Sequence, residues 1–83
     1  MQSKENNSID TRTLPQIWES LSPERQKELR PDLMKVLSVN ERTVYNYTRG
    51  IRKVKSANDR RALSDFLNKE LNLNTRAQFL FQY

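Results

Sequence analysis

Seven basic side chains fall between Arg42 and Arg61, namely Arg42, Arg49, Arg52, Lys53, Lys55, Arg60 and Arg61, and a single acid, Asp59, stands among them. That stretch carries a charge of +6, whereas the rest of the 83-residue chain, with eight basic and nine acidic residues, is nearly neutral. A field concentrated in one region attracts polyanions, so the stretch is a candidate nucleic-acid footprint, set against the plainer possibility of a solvated basic surface. Other chemistry is scarce. The chain has no cysteine and no histidine, which removes disulfides, thiol nucleophiles, soft-metal sites and imidazole acid-base catalysis together. Its ten acids are scattered without a recognisable catalytic spacing, so no enzyme, cofactor or metal is expected. A nuclease working through acids and Mg²⁺ is the one catalytic class left formally open.

A chain of this length makes about one small domain, and with 35% hydrophobic residues its core must be lean. No apolar run approaches the roughly 18 residues that span a bilayer, and the polar start Met1 to Asn7 lacks a secretory signal's hydrophobic region. The expectation is a soluble protein acting in the cytoplasm, with no membrane partner.

The elements that must carry the basic stretch are legible from caps and periodicity. Residues 1–12 hold one large aliphatic side chain, Ile9, and are expected to form a flexible arm. Thr13 with Gln16 fits a capping box, Pro15 suits a first helical turn, and Leu14, Ile17, Trp18 and Leu21 then make one apolar stripe. Trp18 and, further on, Phe66 are read as core residues on such stripes. Ser22 and Pro23 open the next helix. Because Pro31 disfavours the helical region for Arg30, Glu24 to Leu37 reads as two short helices, with Leu29, Leu33, Val36 and Leu37 as their buried face.

Asn40 suits the N-cap of the following helix, Val39 can staple onto Val44, and Gly50, the chain's only glycine, suits the left-handed residue that closes it. Ser56 with Asp59 caps a last long helix from about Ala57 to Leu71, where Ala62, Leu63, Phe66, Leu67 and Leu71 form the apolar face. The fold class expected is all-α, a bundle of about five short helices. The aromatic tail at 74–83 is left open between strand and helix.

Two helices joined by three residues, the second capped at both ends and followed by a basic loop, form a DNA-reading arrangement. Across roughly Leu29 to Leu73 the sequence resembles the Cro and repressor-like (XRE-type) helix-turn-helix family of phages and bacteria. The resemblance rests on Leu33 to Gly50, in which Val44, Tyr47 and Gly50 fill the places that mark the family's recognition helix. Two departures are visible. Ser38-Val39-Asn40 replaces a turn that often contains glycine, and Arg30-Pro31 interrupts the helix before it. The resemblance implies a helix-turn-helix domain over 13–73, with the arm before it and the tail after it.

It also implies a sequence-specific regulator of double-stranded DNA, a repressor by habit of the family, that reads base edges through Glu41, Arg42 and Asn46. The chemistry suits those types: arginine forks onto guanine, asparagine onto adenine, and a carboxylate accepts from cytosine N4. Glu41 could instead favour the helix N-terminus and pair with a neighbouring cation. Thr43, Tyr45, Arg49, Arg52, Lys53 and Lys55 are assigned to phosphates, which position without specifying; Tyr45 could alternatively pack on the preceding helix. Arg60 and Arg61 oppose the dipole of the helix they open, so either a nearby phosphate or ordinary solvation beside Asp59 and Asp65 must compensate.

Phe79, Phe81 and Tyr83 alternate in the tail, which either covers a partner surface or folds back on its own domain. Family members often pair as twofold dimers, which makes the tail a candidate homodimer element. The alternative to a DNA regulator is a protein-interaction module, an inhibitor or adaptor that captures a host protein on the same scaffold. Single-stranded nucleic acid is a third possibility, but only Tyr45 offers a stacking ring among the basic residues.

Overall fold

A computed structural model describes residues 9–83. Within them the chain runs through five helices: α1 at Leu14–Glu19, α2 at Pro23–Leu37, α3 at Glu41–Thr48, α4 at Ala57–Leu71 and α5 at Ala77–Leu80. No strand forms among the described residues, and the fold is an all-α bundle. In it α2 packs on both α3 and α4, α1 packs on α3, and α5 on α4.

Each of the first four helices opens on a side-chain cap. The Thr13 amide donates to Gln16 Oε1 at 2.8 Å, and Ser22, Asn40 and Ser56 accept from the amides of Arg25, Thr43 and Asp59. Such a cap contributes about 1 kcal/mol by satisfying an amide that the helix cannot. Gln26 then ties α2 to the end of α1, its Nε2 donating to the Trp18 carbonyl at 2.7 Å.

The core is one cluster drawn from every helix: Leu14, Ile17 and Trp18 from α1, Leu29, Leu33 and Leu37 from α2, Val44 from α3, Leu63 and Leu67 from α4, and Leu80 from α5, closed by Val54 and Phe81. Each fully buried leucine among them stabilises the fold by about 1.5–3 kcal/mol relative to an exposed one. Trp18 lies inside, and Phe66 packs against the cluster from its edge.

Two expectations about α2 are corrected. It is one continuous helix with Pro31 inside it, not two short ones. Proline removes the bond to the Lys27 carbonyl, but Pro31 and Lys27 both lie on the exposed side, where water can satisfy that carbonyl. The stripe Leu29, Leu33 and Leu37 runs unbroken past it into the core, and its burial outweighs the local penalty. Val36, expected in that stripe, lies at its margin and is 36% exposed.

Three helices end the same way. After α2 the Ser38 amide donates to the Lys35 carbonyl and the Val39 amide to that of Met34, with Ser38 in the left-handed region at φ 55°. After α3 the Gly50 amide donates to Tyr47 and that of Ile51 to Asn46, with Gly50 at φ 77°. Asn72, at φ 56°, closes α4, where the Leu73 amide donates to Asn68. This double or single back-bond satisfies orphan carbonyls and turns the chain sharply.

The expected loose arm lies outside the described residues as far as Ser8, but Asp10 to Arg12 are tied down. The Asp10 amide donates to the Asn74 carbonyl at 3.0 Å, and Arg12 forks onto the Asp10 carboxylate, with Nη2 at 2.7 Å. The tail folds back on its own domain. Leu80 and Phe81 are buried, and the connection before them is fixed by a buried polar knot. In that knot the Thr75 amide and hydroxyl both donate to Asn68 Oδ1 at 2.7 Å, and Ser64 Oγ stands 2.9 Å from Thr75 Oγ1.

Candidate nucleic-acid interface

Helix α3 is short and two-faced. Val44 and Thr48 are buried and Tyr47 packs on the core from its edge, so this face holds the helix to the body. Thr48 is tolerated inside because its hydroxyl donates back to the Val44 carbonyl at 2.9 Å. The opposite face presents Glu41, Arg42 and Tyr45 to solvent, with Asn46 half-buried beside them. The three residues expected to read bases are therefore together, lining with Tyr45 one hollow of about 510 Å³. Arg30, from α2, forms its far wall.

Glu41 stands in the first turn of α3, and no ion pair engages it among the described residues. Tyr45 is 46% exposed, and the Arg49 guanidinium lies 5.3 Å from its ring centroid. The cation–π contact orients both side chains on the outer face. Thr43 is placed differently from expectation. Its hydroxyl donates to Asn40 Oδ1 at 2.9 Å, so its proton is committed to the helix cap.

The basic loop follows directly. Gly50 turns the chain under α1, where a Cβ would stand 3.2 Å from Pro15 Cγ. Arg52, Lys53 and Lys55 are exposed around Val54, which is wholly buried and pins the loop. The Tyr83 hydroxyl donates to the Arg52 carbonyl at 3.2 Å. Burial raises the Tyr83 phenol above its ordinary range, Tyr47 adding to the effect and Arg60 opposing it, so the hydroxyl keeps its proton.

Arg60 and Arg61, expected either near a phosphate or solvated beside Asp59 and Asp65, are separated in role. Arg60 Nε donates to the Val54 carbonyl at 2.6 Å, and its guanidinium lies 5.5 Å from the Phe81 ring centroid. The cation at the start of α4 is thus compensated by a carbonyl and a ring. Arg61 is exposed and lines a second hollow, of about 410 Å³, with Asp65, Asn68 and Arg76 on the α4–α5 side.

Comparison with family models, with curated proteins and with solved structures finds no match.

Among the described residues, none of the seven basic side chains from Arg42 to Arg61 forms an ion pair with a carboxylate, and no three acids gather where a cation could sit. No helix among the described residues is long and apolar enough to cross a membrane. Sequence reasoning missed Arg30, whose contribution arises only when α2 packs beside α3; its one signal was a cation a few residues before the turn. It also missed the internal work of Arg60 and Tyr83, which depends on the tail's return.

Proposed function

We propose that this protein is a sequence-specific regulator of double-stranded DNA that lays the outer face of α3 in the major groove. The observation that carries the reading is the continuity of that face with the basic loop: Glu41, Arg42, Tyr45 and Asn46 lead into Arg49, Arg52, Lys53 and Lys55, and none of these cations is neutralised by a described carboxylate. An α-helix with its side chains is about 10–12 Å across, which fits a major groove about 12 Å wide.

In this reading Arg42 forks onto guanine, Asn46 pairs with adenine and Glu41 accepts from cytosine, each contact discriminating by about 1–3 kcal/mol. Arg49, Arg52, Lys53 and Lys55 meet phosphates after the helix, Arg30 meets one before it, and the Tyr45 hydroxyl supports them. Arg61, facing the α4–α5 side, is left out. Repression by occupying a promoter in a bacterial or phage-infected cytoplasm follows from the family resemblance. A twofold pair of chains on a palindrome accords with it, but the tail is not the element that would join them, because Leu80 and Phe81 lie inside the core. The same burial takes the docking element away from the protein-interaction alternative.

The test is selection from a random duplex library, followed by titration against the selected duplex and a single strand. An enriched motif is expected, a palindrome with half-sites about one turn apart if two chains bind. No motif, and no duplex binding at about 50 mM salt, would overturn the reading.

A further inference from the structure

We infer that Arg60 and Tyr83 are positioning residues that hold the basic loop in its binding shape, an inference that rests on the DNA reading above. Among the described residues, Lys53 to Lys55 make no backbone-to-backbone hydrogen bond. Side-chain attachments hold this part of the loop instead, among them the buried Val54 side chain, the Arg60 Nε bond to the Val54 carbonyl at 2.6 Å, and the Tyr83 hydroxyl bond to the Arg52 carbonyl at 3.2 Å.

The clamp is itself braced. Phe81 is buried and carries the Arg60 guanidinium on its ring, and the Tyr83 ring edge lies 3.7 Å from where a Gly50 Cβ would stand. The tail therefore reaches the first turn of the loop and, through Arg60, its midpoint. With the backbone drawn inward at Arg52 and Val54, the side chains of Arg52, Lys53 and Lys55 stay exposed together. A loop ordered before binding loses less entropy on the duplex than one ordered by it, so these two internal bonds act on affinity without touching DNA.

Arg60 allows a clean test, because glutamine places an amide nitrogen where Arg60 has Nε, keeping a donor for Val54 and removing the charge, whereas methionine keeps the stem and removes both. The full chain and its Arg60→Gln, Arg60→Met and Tyr83→Phe variants are titrated against the selected duplex over a range of salt. Amide exchange is followed in parallel at Ile51 and Arg52. Arg60→Gln should bind like the wild type with an unchanged salt slope. Arg60→Met and Tyr83→Phe should weaken binding about three- to tenfold, the range of one net hydrogen bond, with faster exchange at both amides.

Equal weakening of Arg60→Gln and Arg60→Met, with the slope lowered by about one in each, would make Arg60 a phosphate contact and overturn the inference. So would Arg60→Met and Tyr83→Phe variants that match the wild type in affinity. A wild-type chain that binds no duplex sinks the DNA reading and this inference with it, and that outcome is seen before any variant is compared.

Discussion

Asn40 Oδ1 accepts two hydrogen bonds from Thr43, one from its amide and one from its hydroxyl, each at 2.9 Å. One oxygen thus caps α3 and takes the proton with which Thr43 would have met a phosphate, a group that has none of its own to offer. Asn40→Ala should cost about 1 kcal/mol of stability, or up to about 2 kcal/mol because both bonds are lost. Thr43→Val should cost about 0.5–1 kcal/mol while leaving duplex affinity and its salt slope unchanged. Urea unfolding and anisotropy measure the two halves of this prediction.

Ser38 and Gly50 close consecutive helices in the same left-handed conformation, one with a Cβ and one without. Ser38→Gly should therefore stabilise the protein by about 0.5–1 kcal/mol, since serine bears a strain there that outweighs glycine's greater freedom when unfolded. Gly50→Ala should destabilise it by about 1–2 kcal/mol, from the same conformational strain, and somewhat more because the new methyl meets Pro15. A shift of urea midpoint at constant m-value checks both.

Pro31 offers a gain that its position in a binding bundle has left unused. Pro31→Ala restores the missing bond to the Lys27 carbonyl on an exposed flank and should raise stability by about 1–2 kcal/mol, less than the full penalty of an interior proline because the unfolded chain also becomes freer. A thermal melt that moves down instead would refute this.

The Asp10 carboxyl is held below its ordinary value of 3.8 chiefly by the side-chain bonds from Arg12, with burial opposing. A group whose folded pKa is depressed contributes stability in full above its unfolded value and loses it as pH falls through the folded one. Between about pH 5 and pH 2 the wild type should lose more stability than Asp10→Asn, whose curve lacks that component. Equal slopes in the two unfolding series would contradict this.

On DNA, Arg42→Ala should flatten the preference at one base position, with a loss of about 1–3 kcal/mol on the selected site and little on random duplex. Lys53→Ala should weaken all sequences alike and lower the salt slope by about one. If Arg42→Ala weakened selected and random duplexes alike, its side chain would be a phosphate contact.

What the sequence disclosed and withheld follows from the range of the forces involved. Thr13, Ser22, Asn40 and Ser56 were legible as caps because a cap bonds within three residues, and Gly50 because its backbone alone demands the type. Val44 and the stripes of α1 and α4 were legible from period. Pro31 misled because a strong local rule met a burial that only the assembled bundle reveals. Thr48 went unnoticed because a polar residue that bonds its own helix can enter a core without announcing itself. On the candidate interface, helical spacing alone brings Glu41, Arg42 and Asn46 to one hollow, whereas Arg30 and Tyr83 join from other parts of the chain and leave no trace in local pattern.

The hydroxyls and amide of Ser64, Asn68 and Thr75 have a consequence for how the molecule comes apart. Asn68 Oδ1 accepts two hydrogen bonds from Thr75 and its Nδ2 donates one back to the Thr75 carbonyl at 3.3 Å, a fit that a shift of a single residue would ruin. The return of the chain past α4 is accordingly a key with one bitting, seated fully or not at all. Melting curves read at Trp18 and at Tyr83 should therefore superimpose, the first helix and the tail letting go in a single event.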